Sequence, residues 1–162
     1  RDSSTSRGLG DVYKRQLEDL ARTWETQAMD CGAGPGLFPE ALRVLQELEV
    51  LEADWRTLLR RGEETSAELA DEALLERIVC YFAFRHLLKT VNDGDLLGRA
   101  QLCVLAVLTV ERLAPVCGGL GEALRRFCRE VEHSEENLAA LQEAFWQRQE
   151  LSLACFFREL SL

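Results

Sequence analysis

Apolar residues in this chain recur at the three- and four-residue spacing of helices, and over residues 74–113 they crowd almost every position. There, Ile78-Val79-Cys80-Tyr81-Phe82-Ala83-Phe84 leaves no polar side, and residues 102–110 are apolar except for Thr109. A helix apolar on all faces belongs inside a protein or in lipid. The second run is bounded by Arg99 and Gln101 on one side and by Glu111-Arg112 on the other, short of the roughly 20 apolar residues that a span needs. The pattern therefore predicts a central buried helical hairpin, turned at Asn92-Asp93-Gly94-Asp95, with no membrane involved and the rest of the chain wrapped around it.

The flanking segments read as amphipathic helices. Leu17, Leu20, Ala21, Trp24 and Ala28 form one stripe over residues 17–29. Cys31-Gly32-Ala33-Gly34-Pro35-Gly36 breaks it, and lacks the G-x-G-x-x-G spacing of a dinucleotide cradle, so a plain loop is expected. One long helix follows, with Pro39 in its first turn and Leu42, Leu45, Leu48, Leu51 or Glu52, Trp55, Leu58 and Leu59 at helical spacing. Gly62 after Arg60-Arg61 reads as its stop, and Glu47, Glu49 and Glu52 as its solvent face. Thr65 or Ser66 is a candidate cap for the first hairpin helix, and Asp95 for the second, which Pro115 should end. Beyond the loop at residues 117–121, Leu124, Phe127, Cys128 and Val131 mark an inward face over residues 122–133. Ser134 caps a helix burying Leu138, Leu141, Ala144 and Phe145, and a last helix over residues 152–160 carries Leu153, Phe156, Phe157 and Leu160. The expected fold is all-α, an orthogonal or irregular bundle of about seven helices.

Residues 1–16 fit none of these patterns. They are polar and Gly/Ser-rich, and Gly-Leu-Gly-Asp-Val-Tyr-Lys-Arg-Gln resembles translated sequencing-adaptor sequence. They are expected to be a non-native or disordered tail. Residues 17–162 then form a single helical domain, the C-terminal fragment of a longer protein.

Charge narrows the partners. With 28 acidic against 19 basic residues the net charge is −9, which argues against nucleic acid and suits a lysine-bearing protein partner or simple solubility. Cys31, Cys80, Cys103, Cys117, Cys128 and Cys155 include no C-x-x-C pair, and no apolar leader is visible, so reduced thiols and a cytoplasmic location are expected.

Two polar clusters could carry chemistry. The first lies on the hairpin: Arg85, His86 and Lys89, then Asp93, Asp95 and Arg99. Its plainer reading is an ion pair of Arg85 or Arg99 with Asp93 or Asp95 that holds the hairpin shut, and its functional reading is a polar pocket that binds substrate or cofactor. The second is Arg129-Glu130-Val131-Glu132-His133-Ser134-Glu135-Glu136-Asn137. Glu132, His133 and Glu136 there could transfer protons or grip a lysine ammonium, with Arg129 and Asn137 binding beside them. Helix capping and a solvated acidic end explain the same residues without function. Neither cluster has metal-ligand spacing, so no metal site is expected.

Residues 75–95, Leu75-Glu76-Arg77-Ile78 onward to Asn92-Asp93-Gly94-Asp95, and residues 129–138 resemble the C-terminal part of bacterial flagellin lysine-N-methylases. That part has an aromatic helix ending in Arg, a short apolar stretch and Asp-Gly, then a second apolar helix. A (Ser/Cys)-Arg-Glu-(Ile/Val)-Glu-His-Ser-Glu-Glu-Asn-Leu segment follows. The resemblance extends over roughly residues 37–162. It implies methyl transfer from S-adenosylmethionine to lysine side chains of flagellin. It also implies an N-terminal iron–sulfur segment that the six cysteines here do not match, so this region would supply contacts and scaffold and would not act alone. A non-enzymatic helical module that binds a protein or an apolar ligand is the alternative from a different class.

Overall fold

The structure, a computed structural model, describes residues 36–65 and 71–160. The tail at 1–16, the stripe at 17–29, Ser66 and the side chains of Phe157 and Leu160 lie outside the described set. Seven α-helices of eight residues or more make up the described residues, and no strand occurs among them. They are α1 (Leu37–Glu47), α2 (Trp55–Glu64), α3 (Glu72–His86), α4 (Leu96–Cys117), α5 (Leu120–Phe127), α6 (Glu135–Gln147) and α7 (Leu153–Leu160). A 3-10 segment (Leu87–Lys89) and a helical turn (Thr90–Asp93) extend α3, a π-helical segment (Cys128–Glu132) extends α5, and a 3-10 turn (Gln149–Leu151) precedes α7. The fold is all-α, as the periodicity requires.

The axis of the bundle is α4. It packs against each of the other six helices, and its Leu102, Leu105, Ala106, Val110 and Leu113 are buried. By length and mean hydropathy (1.6) α4 could cross a membrane, yet half of its most apolar window is buried within the bundle. Within the described residues it serves as the central packing helix.

The other arm of the hairpin differs from expectation. Only Ile78, Phe82 and His86 of α3 are buried, at the i, i+4, i+8 spacing of one face. The opposite face stays in solvent although it is apolar: Phe84 is 73% exposed and Val79 46%. The hairpin is thus buried along one arm and lies on the surface along the other.

Local chemistry fixes the helix ends. Asp71 caps α3 through Leu74 N–H (3.2 Å), Asp95 caps α4 through Gly98 N–H (2.9 Å), and Ser134 caps α6 through Asn137 N–H (3.1 Å). Gly94 ends the α3 extension in the left-handed region (φ 73°), where a side chain would be strained. Gly62 is not a stop. It lies within α2 at its contact with α4, where a Cβ would come 2.6 Å from Leu113 Cδ2 and oblige that side chain to shift. Pro115 does not end α4 either. It sits in the last turn, where one missing N–H bond is tolerated, and the helix runs on to Cys117.

The long helix expected across residues 39–62 is broken between Glu47 and Trp55. The cause is tertiary. Both Glu130 carboxylate oxygens accept loop amides, Leu51 N–H at 2.9 Å and Glu52 N–H at 2.6 Å. The Asn137 side chain accepts Glu49 N–H at 2.9 Å and donates to the carbonyls of Glu49 (2.8 Å) and Glu130 (2.7 Å). These bonds replace helical ones, and Leu51 turns outward.

Replacing Glu130 with Ala should strand two backbone donors and lower stability by about 2–3 kcal/mol in urea denaturation, while Glu135→Ala on the exposed start of α6 should cost under about 1 kcal/mol. Equal costs for the two would show that the latch contributes nothing.

Candidate functional site

A buried carboxylate gathers the polar groups of both sequence blocks. The i→i+5 bond from His133 N–H to the Cys128 carbonyl (2.9 Å) widens the helix after α5 by one residue. That inserted residue rephases the segment. Glu130 and Val131 face the core, the Glu132 side chain reaches α3 and is 2% exposed, and His133 turns out to solvent.

On α3, Tyr81 and Arg85 are four residues apart and share a face. Tyr81 donates its hydroxyl to Glu132 Oε2 at 2.9 Å, and Arg85 donates Nε–H to Oε1 at 2.5 Å. His86 is 1% exposed, with Nε2 3.5 Å from Glu132 Oε1 and no hydrogen bond at either ring nitrogen. Phe82 stacks on the His86 ring at 6.1 Å between centroids and meets Phe127 edge-on at 5.8 Å, so apolar packing sets the imidazole's position.

The electrostatics follow from this enclosure. Burial alone would raise the Glu132 carboxyl, but His86, the Cys128 thiol, Arg85 and Tyr81 outweigh it and hold the group well below the usual carboxylate range. Burial, then the hydrogen bond to Glu132, raises the Tyr81 phenol. Burial and the neighbouring Glu132 push the Cys128 thiol up to about 12, and burial pushes Cys103 up to about 11. Neither thiol is a nucleophile near neutral pH. Glu132 is accordingly an anchoring anion and a weak base.

Comparison with protein-family models, with curated proteins and with solved structures finds no match for this chain.

Of the residues singled out in the sequence, the fold brings Glu132, Arg85 and His86 together and separates the others from them. His133 and Glu136 are exposed. Arg129 pairs with Glu52 across the surface at 2.9 Å, and Asn137 belongs to the loop latch. Asp93 pairs with Arg99, whose guanidinium holds its carboxyl below the usual range, and Asp95 is spent on the α4 cap. The plainer reading of the hairpin cluster therefore holds for Arg99 with Asp93, while Arg85 turns to Glu132. Tyr81, Cys128 and Glu130 had not been singled out. For Tyr81 the usable signal was its i, i+4 relation to Arg85.

A second feature is a cleft of about 410 Å³ between α1 and α6, lined by Glu47, Glu49, Glu136, Glu143, Asn137 and Arg148 among others. Arg148 is tied to Glu47 and to the buried Glu40, which leaves a surplus of carboxylates. Cys155 is disulfide-bonded, against the expectation of six reduced thiols, while Cys80, Cys103, Cys117 and Cys128 are free. Among the described residues no three His, Cys, Asp or Glu side chains converge as metal ligands.

A depressed carboxyl contributes stability above its unfolded value, about 4.3, that is lost as pH falls toward the folded value. Wild-type stability should therefore drop between about pH 5 and pH 2.5. Glu132→Gln should be less stable at pH 7 but flatter over that window by urea denaturation. Parallel acid limbs for the two proteins would remove the Glu132 centre from the account.

Proposed function

We propose that this chain is the helical C-terminal region of a cytoplasmic protein-lysine N-methyltransferase that acts on flagellin with S-adenosylmethionine as methyl donor. The sequence resemblance supplies the reaction. The observation that carries the reading in three dimensions is the meeting of the two resembling blocks at one buried centre, Tyr81, Arg85 and His86 from the first with Glu132 from the second. Blocks that serve one site are expected to converge in this way.

The methyl donor supplies an electrophilic methyl group, and the residues of this region serve the lysine. A lysine ammonium must shed its proton before the amine can attack. Carboxylates in the α1–α6 cleft suit the ammonium form, and Glu136 and Asn137 from the second block line that cleft. Glu132 is a positioning residue. It fixes the Arg85 guanidinium, which is 46% exposed in its side chain, and holds α3 against the π segment.

A non-enzymatic protein-binding module is the second reading, favoured by the apolar outer face of α3. Quantitative mass spectrometry of flagellin incubated with the intact protein separates the two. Glu132→Gln should lower the methylation rate about tenfold or more, Glu136→Gln with Glu143→Gln should mainly raise the flagellin concentration needed, and exposed His133→Ala should do little. No methylation by wild type, or equal rates in wild type and a folded Glu132→Gln variant, would overturn the assignment.

A further inference from the structure

The outer face of α3 and its extension is an apolar stripe that the other described residues leave exposed. Phe84, Leu88 and Val91 stand at i, i+4 and i+7 and are 73%, 68% and 90% exposed, with Tyr81 on the shoulder. Within residues 77–91 the charged side chains are all of one sign, and one of them, Arg85, is paired with Glu132. From residue 77 to residue 91 the chain carries Arg77, Arg85 and Lys89 and no carboxylate, although the net charge of the whole is −9. The result is an apolar strip with a cationic rim on an acidic protein.

We propose that this strip docks one amphipathic helix of a protein partner, with apolar side chains at i, i+4 and i+7 and Asp or Glu along its flanks. Apolar anchors at that spacing are what a helix offers to a helix. The charge pattern selects the partner. At physiological ionic strength fields fade over about 8 Å, so the local cations, and not the distant acidic surface, meet a bound helix. An anionic bilayer is a broad plane that would also meet the acidic surroundings, whereas a helix about 10 Å wide covers only the strip. A second copy packed symmetrically would set Arg77, Arg85 and Lys89 against their own counterparts. Arg85 belongs both to this rim and to the Glu132 centre, so a docked carboxylate meets the same guanidinium that binds Glu132. The inference stands whether or not methyl transfer occurs, because binding is read without turnover.

Fluorescence anisotropy of the full chain with a labelled 16-residue helical peptide tests it. The probe carries Leu at each i, i+4, i+7 and i+11 position and Glu elsewhere, and a second probe carries Lys in place of Glu. Saturable binding of the Glu peptide is expected, weakened at least tenfold by Leu88→Asp or Val91→Asp with unchanged circular dichroism, and at least tenfold weaker for the Lys peptide. Failure of the Glu peptide to bind, equal binding of the two probes, or indifference to both substitutions would overturn the proposal. So would a dimer, or adsorption to phosphatidylserine vesicles, that the same substitutions abolish.

Discussion

Three buried polar side chains at the α5–α6 junction organise this molecule. Glu130, Glu132 and Asn137 stand within eight positions of one another, yet they tie down segments about 50 to 88 residues away in sequence. Polar groups are costly to bury unless their bonds are made, and here they are made to two distant segments. Glu130 and Asn137 hold the loop between α1 and α2. Glu132 holds α3. The apolar axis α4 supplies burial, but it would accept neighbours in several orientations. The hydrogen bonds select one.

A helix sets residues two apart on nearly opposite sides, so Glu130 and Glu132 of one short segment serve two separate walls. The π turn over Cys128–Glu132 ends the segment and leaves the His133 imidazole exposed. Ion pairs then fasten the outside of the same junction. Arg126 reaches Asp54 at 2.8 Å and Glu52 at 3.2 Å, and burial of its stem places it partly under the loop. These exposed pairs add little individually. Their role is to close the solvent side of a loop whose inner side is already bonded.

Much of the architecture is legible in the chain. Helical spacing, Asp95 and Ser134 as caps, and Asn92-Asp93-Gly94 as a turn are local signals, and local bonds satisfy them. The break after α1 is not local. Leu48, Leu51 and Trp55 keep helical phase, and only a carboxylate 79 residues away diverts the Leu51 amide. The same limit applies to the site. Nothing in Glu130-Val131-Glu132-His133-Ser134-Glu135-Glu136 says which side chains turn inward, because the π insertion shifts the phase midway. The surface position of α3 was hidden for another reason. Periodicity cannot tell a helix buried on all sides from one that leaves an apolar face exposed, and α3 is of the second kind among the described residues.

The central claim is that side chains of the α5–α6 junction bond the amides of an otherwise irregular loop. Native-state hydrogen exchange at Glu49, Leu51 and Glu52 tests it most directly. These residues lie near the surface, and amides there exchange quickly unless bonded. The account predicts protection at these three amides comparable to that of the amides of α4, and its loss at Leu51 and Glu52 in Glu130→Ala. Exchange at the rate of an open loop in the wild-type protein would contradict it.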